Sequence, residues 1–198
     1  MMSPLKPLRL LLLILVMLVL TACGHVRVQH FDGREPEFSV AEYFQGETWG
    51  WGMVQDYRGR ITRQFTVYIQ GYMDGDVLVL DEDFLFSDGE ESKRVWRLKP
   101  VDQHCYVGTA HDVVGEGRAC NYGDAFHLTY RLKVPIGERE WVFSMDDWMY
   151  LQDNQVVFNR TRMRKWGLTL GNITLTFTKQ PLANNNQDEA EGFQRSAQ

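Results

Sequence analysis

Four charged side chains occupy positions that the surrounding sequence otherwise gives to apolar residues. Glu82 and Asp147 each fall on the apolar side of an alternating segment, and Arg160 and Arg162 continue such a series further along the chain. A lone buried charge is costly, so these groups should either pair or face a wet cavity. In a cavity, the two parallel donors of an arginine would hold the carboxylate or phosphate of a mostly apolar ligand. The alternative is a buried ion-pair network, or a place where the charges reach solvent.

Aromatic residues occur in segments of the same kind. Trp96 and Trp148 complete the candidate ligand-binding set with the four charged residues. Their rings could line a cavity or simply fill the core, as side chains in small barrels often do. The same two interpretations apply to Trp49, Trp51, Tyr68, Trp141 and Trp166.

Catalytic patterns are weak in this sequence. Adjacent acids such as Asp146 and Asp147 would project to opposite faces of a strand, so one strand does not offer two carboxylates to one substrate. No serine lies in a Gly-x-Ser-x-Gly turn, no glycine-rich phosphate loop precedes a helix, and the five histidines are scattered. We therefore predict no catalytic residues and no cofactor. An enzyme acting on lipid or sugar is the less favoured alternative.

Composition and charge limit the class of protein. The chain has 198 residues, 44% of them hydrophobic, which is enough for a real core and too many for general disorder. It carries 21 Lys+Arg against 26 Asp+Glu, a net charge of −5. Binding to nucleic acid needs a basic face, so the balance argues against a nucleic-acid partner.

Apolar and polar residues alternate with a period of two along much of the chain. The clearest segments are 61–70, 126–134 and 173–178, and this period is typical of antiparallel strands with one buried face. The predicted fold class is all-β, an up-and-down antiparallel meander of about nine or ten strands. Such a sheet avoids exposed edges by closing, so we predict a lipocalin-like barrel over residues 44–180. A two-sheet sandwich is the alternative.

Turn residues predict how neighbouring strands pair. Asp74-Gly75 suits a two-residue hairpin turn. A second two-residue turn at Asp153-Asn154 would place Asp147 directly opposite Arg160. The sequence therefore predicts an ion pair between Asp147 and Arg160.

Two cysteines fit the two strands of one hairpin. Cys105 and Cys120 are equally distant from a turn near Asp112-Val113. In an oxidising compartment they should form a disulfide, which contributes roughly 3 kcal/mol for a loop of about 15 residues in the chain-entropy model. No compact metal-ligand spacing such as Cys-x-x-Cys is present, and no metal site is predicted. The alternative is a metal site formed by these thiols with His104, His111 and His127.

The first 22 residues have the features of a signal peptide. Lys6 and Arg9 form a short positive region, and Leu10–Leu20 is an apolar run. The run is too short to span comfortably a bilayer core of about 30 Å. Without Lys6 and Arg9, 19 positive and 26 negative charges remain, so the mature chain is near −7.

The end of the apolar run resembles the lipobox of bacterial lipoproteins. The segment is Leu20-Thr21-Ala22-Cys23. The resemblance implies cleavage before Cys23 and acylation of its thiol and its new amino group. Several acyl chains anchor a protein stably to a membrane. By resemblance to sorted lipoproteins, Gly24 in place of Asp favours the outer membrane.

Polar segments flank the predicted barrel. Residues 23–43 are expected to form a tether with a short helical turn, which begins after Ser39 with the spacing of a capping box and ends near Phe44. Residues 181–198 are rich in Asn, Gln and charge, and we expect a disordered tail there.

Four short motifs occur in the order in which a known protein family carries them. They are Asp56-Tyr57-Arg58-Gly59-Arg60, Leu80-Asp81-Glu82-Asp83-Phe84, Val95-Trp96-Arg97 and Asp146-Asp147-Trp148-Met149-Tyr150-Leu151-Gln152-Asp153. In these motifs the chain resembles the domain of unknown function 3833 family, whose members are bacterial lipoproteins and envelope proteins. The likeness covers about residues 44–179. It implies an envelope protein but no particular activity, because none is established for the family in general.

These observations predict a non-enzymatic lipoprotein anchored on the periplasmic face of the outer membrane. Its barrel would bind or carry a hydrophobic, fatty-acid-like molecule, and its membrane contact would come from the acyl chains on Cys23. The alternative is an interaction or structural module of the envelope, with a barrel filled by its own side chains.

Overall fold

Ten antiparallel strands follow one another along the chain in the computed structural model, which describes residues 26–181. They are β1 (Gly46–Asp56), β2 (Ile61–Asp74), β3 (Val77–Phe86), β4 (Glu91–Pro100), β5 (Cys105–Thr109), β6 (Gly117–Tyr122), β7 (Ala125–Ile136), β8 (Arg139–Leu151), β9 (Val156–Lys165) and β10 (Leu168–Thr178). Each strand pairs with its neighbours in sequence, and β1 pairs with β10. The predicted all-β meander that closes into a barrel is confirmed, and the two-sheet sandwich is excluded because the sheet has no edge strand.

Alternation places one face of every strand inside the barrel. On β2 the side chains of Phe65, Val67 and Ile69 are buried, as the sequence predicts. Gly52 on β1 makes room for this packing, since a Cβ at Gly52 would lie 2.4 Å from the ring of Phe65. The core is therefore set by the same period of two that identifies the strands.

The segment before β1 packs against the barrel. A 3₁₀-helix, Val28–Phe31, lies against β6 and β7, and helix α1 (Val40–Phe44) follows it. The Ser39 hydroxyl accepts a hydrogen bond from the backbone N–H of Glu42, so the predicted helical turn is present. Phe38, Val40 and Phe44 are almost fully buried in the core. The expected tether thus contributes core residues between positions 28 and 44.

Helix α1 distinguishes the two ends of the barrel. A Cβ at Gly71, near the end of β2, would lie 1.8 Å from the carbonyl oxygen of Phe44. We call the end that α1 covers, with the β2–β3 and β8–β9 turns, the helix end. The opposite end, with the β1–β2, β7–β8 and β9–β10 turns, is called the far end.

The register between β8 and β9 differs from the prediction. Leu151 pairs with Val157, and Asp147 pairs with Thr161 instead of Arg160. The Asp153 carboxylate accepts hydrogen bonds from two backbone N–H groups of the turn, and this stabilises a loop longer than two residues. A shift of one residue reverses the faces of a strand. The predicted ion pair between Asp147 and Arg160 is therefore wrong.

The first predicted hairpin turn is also displaced, but without a change of strand faces. Asp74 pairs with Val77, so the turn residues are Gly75 and Asp76, and Gly75 adopts a φ of +64°. The pairing moves by an even number of positions relative to a turn at Asp74-Gly75. The inner and outer faces of β2 and β3 are therefore unchanged.

The disulfide prediction is confirmed. Cys105 and Cys120 pair directly across β5 and β6 and are joined by a bond. Cys23, the predicted signal peptide and most of the predicted tail lie outside the described residues. Within residues 26–181, no helix has both the length and the apolar character needed to cross a bilayer.

Candidate ligand-binding sites

The six predicted ligand-binding residues divide between the two sides of the barrel wall. Three face the interior: Glu82, Trp96 and Asp147. Three face outward and lie together on β8 and β9: Trp148, Arg160 and Arg162. The structure therefore has two candidate sites in place of the single one expected from sequence.

The interior site is a cluster of polar side chains, which we call the inner cluster. Its members are Glu82, Arg94, Asp112, Tyr130, Asp147, Asn159 and Thr161. Arg94 donates from Nε and Nη2 to Asp112 Oδ2 at 2.9 and 2.6 Å. Its Nη1 lies 3.9 Å from Glu82 Oε2. Within residues 26–181 it is the one cation that forms an ion pair in this cluster.

Neutral partners surround Asp147 in the inner cluster. Asn159 donates from Nδ2 to Asp147 Oδ1 and also to the backbone carbonyl of Trp148 at 3.1 Å. Asn159 and Thr161 are buried beside it because the observed register turns them inward. Sequence analysis missed both residues, since the shorter predicted turn placed them on the outer face.

Burial controls the titration of the inner acids. It raises the pKa of Glu82 to about 7, although Arg94 partly opposes the shift. It also raises the pKa of Asp147 to about 6, against the hydrogen bonds from Asn159 and Thr161. Carboxyl groups of this kind exchange protons near neutral pH. With three carboxyl groups and one guanidinium, the inner cluster is a poor host for an anion.

The outward-facing site is a groove of about 930 Å³ on the wall formed by β6 to β9. Its outward-facing lining residues are Val26, Phe31, Glu116, Arg118, His127, Thr129, Arg131, Ser144, Asp146, Trp148, Tyr150, Arg160, Arg162 and Arg164. Tyr130 and Met145 also border it, although their side chains pack in the barrel core. We call it the outer groove. Its volume lies within the range of about 300–1,000 Å³ that is usual for small-molecule sites.

Strand register builds the outer groove as rows across three strands. His127, Trp148 and Arg160 form one row, because His127 pairs with Trp148 and Trp148 pairs with Arg160. The next row ends in Asp146 and Arg162, which pair directly. Rings and guanidinium groups thus alternate over a short distance on one surface.

Stacked rings form the apolar part of the outer groove. The rings of His127 and Trp148 are 4.0 Å apart and nearly parallel, and Tyr150 stacks on the other side of Trp148 at 5.9 Å. Phe31 of the 3₁₀-helix contacts both Trp148 and Tyr150. The N-terminal segment therefore completes a surface that the strands alone would leave incomplete.

Arginines dominate the charge of the outer groove. Five arginines line it together with two carboxylates, Glu116 and Asp146. Asp146 lies within 3.9 Å of Arg162 and 3.7 Å of Arg164. In the described part of the chain, Arg118, Arg131 and Arg160 form no ion pair. Their guanidinium groups remain available to an anionic ligand.

Asp146 organises the centre of this surface. Its Oδ1 accepts from Trp148 Nε1 at 3.0 Å and lies 2.8 Å from His127 Nε2. Although partial burial acts in the opposite direction, these contacts and Arg164 lower the pKa of Asp146. The ionised carboxylate fixes the edges of the two stacked rings, and so it positions the apolar surface.

Neither site contains a recognisable metal centre. Within residues 26–181, no group of three or more His, Cys, Asp and Glu side chains could hold a metal ion. Cys105 and Cys120 are joined to each other, so their thiols do not serve the alternative metal site.

Comparison with known proteins gives the family. The family model described as protein of unknown function, DUF3833, matches residues 17–179. The chain belongs to the DUF3833 family. The resemblance seen in its motifs is thereby confirmed. No curated protein sequence matches this DUF3833 chain.

Solved structures share the architecture of the DUF3833 barrel. The S-type phycobiliprotein lyase CPES from Guillardia theta aligns with a TM-score of 0.52 and 8% identity, over 77% of this chain and 96% of the lyase. Rv2717c from M. tuberculosis aligns with a TM-score of 0.53 and 14% identity, over 75% of this chain and 99% of that protein. At such low identities, the similarity shows the lipocalin-like fold alone.

Proposed function

We propose that this protein is a membrane-anchored lipoprotein that binds a hydrophobic molecule with an acidic group, such as a fatty acid, in the outer groove. The observation that carries the proposal is the outer groove itself. It combines the ring stack of His127, Trp148 and Tyr150 with five arginines, three of which form no ion pair in the described chain. Apolar walls with a few placed polar groups are the usual composition of a small-molecule site.

The charges of the two sites favour the outer one for an acid. In the inner cluster, the guanidinium of Arg94 is already held by Asp112, and two further carboxyl groups lie nearby. An incoming carboxylate would meet like charges there. In the outer groove, Arg160 and Arg162 can offer paired donors in partial contact with water.

The chain's N-terminus supports attachment to a membrane. Val26 lines the outer groove, and Cys23 precedes it by three residues. Three residues extend over at most about 11 Å. Acylation of Cys23 would therefore hold the groove close to a bilayer surface, and Gly24 favours the periplasmic face of the outer membrane for this site.

Titration calorimetry with dodecanoate and dodecanol tests the proposal. We expect the intact protein to bind dodecanoate more tightly than dodecanol, because only the acid can use the arginines. The double variant Arg160→Ala/Arg162→Ala should bind dodecanoate about 10- to 150-fold more weakly, because losing the charged hydrogen bonds of the two exposed arginines should cost about 1.5–3 kcal/mol in total.

A matched arginine provides the control. Arg97 is also exposed on the outer wall, but it lies on β4 and pairs with Asp74. Arg97→Ala should leave the affinity for dodecanoate unchanged. Equal affinities for acid and alcohol, no binding of either, or an unchanged affinity in the double variant would contradict the proposed site.

Acid–base catalysis inside the barrel is a second candidate function. It is favoured by the raised pKa values of Glu82 and Asp147, two acids in one buried cluster. Turnover of a lipid or sugar substrate at this site should be lost in Glu82→Gln with the fold retained, and kept in Arg160→Ala. Turnover that is kept in Glu82→Gln and lost in Arg160→Ala would show that the inner cluster is not the catalytic site.

A further inference from the structure

Among the described residues, the three most exposed large apolar side chains lie at the far end of the barrel. Trp166 is 79% exposed, Leu168 65% and Tyr57 64%. Ile61 and Ile136 are also at least half exposed. We call these five residues the aromatic rim. Contiguous apolar groups of this kind on a soluble surface usually mark a contact with a membrane or another protein.

Strand order places the aromatic rim along successive turns at one end of the barrel. Ile136 ends β7, Trp166 and Leu168 form the β9–β10 turn, and Tyr57 with Ile61 flanks the β1–β2 turn. These turns follow one another around the barrel at the same end, because β8 pairs with β9 and β10 pairs with β1. The ring of Trp166 also contacts that of Trp141 on β8 at 6.0 Å.

Trp166 occupies a position that its side chain disfavours. It is the first residue of a two-residue turn, where its φ is +51° and that of Gly167 is +80°. Turns of this type favour Asn or Gly, and a bulky residue at positive φ is strained. A large, solvent-exposed ring is thus present at this position despite a conformational cost. The requirements of the turn do not explain a tryptophan there.

Cations lie beside the rings of the aromatic rim. Lys165 Nζ is 5.1 Å from the ring centre of Trp166 and 4.5 Å from that of Trp141. Arg58 lies over the ring of Tyr57 at 5.1 Å. Tryptophan and tyrosine with adjacent basic residues are characteristic of side chains at the boundary between lipid headgroups and acyl chains.

The charge of the rim is close to balanced. Its turns carry Asp56, Arg58, Arg60, Glu138, Arg139, Glu140 and Lys165. Attraction to anionic lipid is therefore weak, and apolar burial must supply most of the contact. The contact should then occur on neutral bilayers as well as on anionic ones.

We propose that the aromatic rim inserts into the interface of the bilayer that carries the lipoprotein, with Trp166 and Leu168 deepest. The position of Val26 supports a bilayer as the partner, because Val26 lies on the wall formed by strands that reach the rim: β7 and β9 end there, and β8 begins there. A lipid-bearing Cys23, three residues earlier, would keep that wall beside the membrane. This inference rests on the proposed acyl anchor at Cys23, but on neither the outer groove nor its ligand.

Quenching by brominated lipids tests the proposal on the purified membrane-bound chain. Vesicles of phosphatidylcholine, with and without bromine on the acyl chains, are compared for each variant. We expect bromine to quench the intact protein strongly. Among the six single Trp→Phe variants, Trp166→Phe should lose the largest share of the quenching. Leu168→Ser, which keeps Trp166, should reduce the quenching by at least about twofold, because less apolar surface is buried.

Two comparison variants and a folding control accompany the experiment. Tyr72→Ser removes an exposed apolar residue near the helix end and should leave quenching unchanged. Arg160→Ala/Arg162→Ala should also leave it unchanged, so a failure of the ligand proposal is distinguishable from a failure of this one. Circular dichroism checks that the variants remain folded. The proposal is overturned if Trp166→Phe is quenched as strongly as the intact protein, or if brominated phosphatidylcholine does not quench the intact protein.

Discussion

Asp146 and Asp147 are neighbours in the chain, yet the structure gives them opposite chemistry. Asp146 points outward among arginines and aromatic N–H donors, and its pKa falls. Asp147 points into the barrel among neutral partners, and burial raises its pKa to about 6. One step along a strand thus separates a fixed anion from an acid that titrates near neutral pH.

The same contrast extends along the strands on which these residues lie. The inner faces of β8 and β9 carry Met145, Asn159 and Thr161, which are buried and uncharged. The outer faces carry Arg160, Arg162 and Arg164 beside Trp148. A barrel wall can therefore present a recognition surface on its outside while its inside mainly supports the fold.

The largest expected difference concerns two tryptophans on opposite sides of the wall. Trp96 is buried inside, where its ring packs edge-on against Tyr130 at 5.1 Å, and Trp96→Ala should lower the free energy of unfolding by about 3–5 kcal/mol. Trp148→Ala should lower it by about 1 kcal/mol, the contribution of ring stacking, but should weaken dodecanoate binding. Urea unfolding of both variants measures this difference. Equal losses of stability would contradict the view that the inner face stabilises the fold and the outer face binds the ligand.

Glu82 predicts a smaller, pH-dependent effect. The folded state keeps its proton up to about pH 7, whereas the usual pKa is 4.5, so rising pH destabilises the fold between these values. Glu82→Gln removes this penalty. Between pH 5 and pH 8, the variant should gain about 2 kcal/mol of stability relative to the intact protein. Chemical unfolding at both pH values measures the gain, and parallel pH profiles would show that Glu82 is ionised in the folded state.

The smallest expected effects, of opposite sign, come from the two neighbouring aspartates. Asp147→Asn should become stabilising by about 1 kcal/mol above pH 6, where the intact protein must ionise a buried acid. Asp146→Asn should be slightly destabilising at neutral pH, and its effect should vanish as acid protonates Asp146. Thermal unfolding of both variants, measured from acidic to neutral pH, gives the two stability profiles. The same sign in both variants would contradict their placement on different faces.

Alternation alone predicted the faces of most strands. Burying one apolar side of each strand fixes the position of residues such as Phe65 and Val67, and it also identified Glu82 and Asp147 as inward charges. The hairpin joining Cys105 to Cys120 followed from its turn in the same way. These features depend on local spacing, which a sequence contains directly.

The outer groove could not be predicted because it depends on loop length and on contacts between distant segments. One additional residue in the β8–β9 turn, which Asp153 stabilises, moved Arg160 and Arg162 from the inside to the outside. Phe31 contacts Trp148 from a segment that the sequence predicted to be a polar tether. The link between Arg94 and Asp112 likewise joins a strand to a separate loop. Such contacts between distant segments form only in the closed barrel, so local sequence spacing does not predict them.

Photo-crosslinking with a diazirine-bearing fatty acid tests most directly whether recognition occurs on the outer wall. After irradiation, mass spectrometry of peptides identifies the labelled residues. We expect labelling of Phe31, Trp148 and Tyr150. Unmodified dodecanoate should compete with this labelling, and Arg160→Ala/Arg162→Ala should lose it. Labelling confined to inward-facing residues such as Phe84 and Met163 would contradict it and place the ligand inside the barrel.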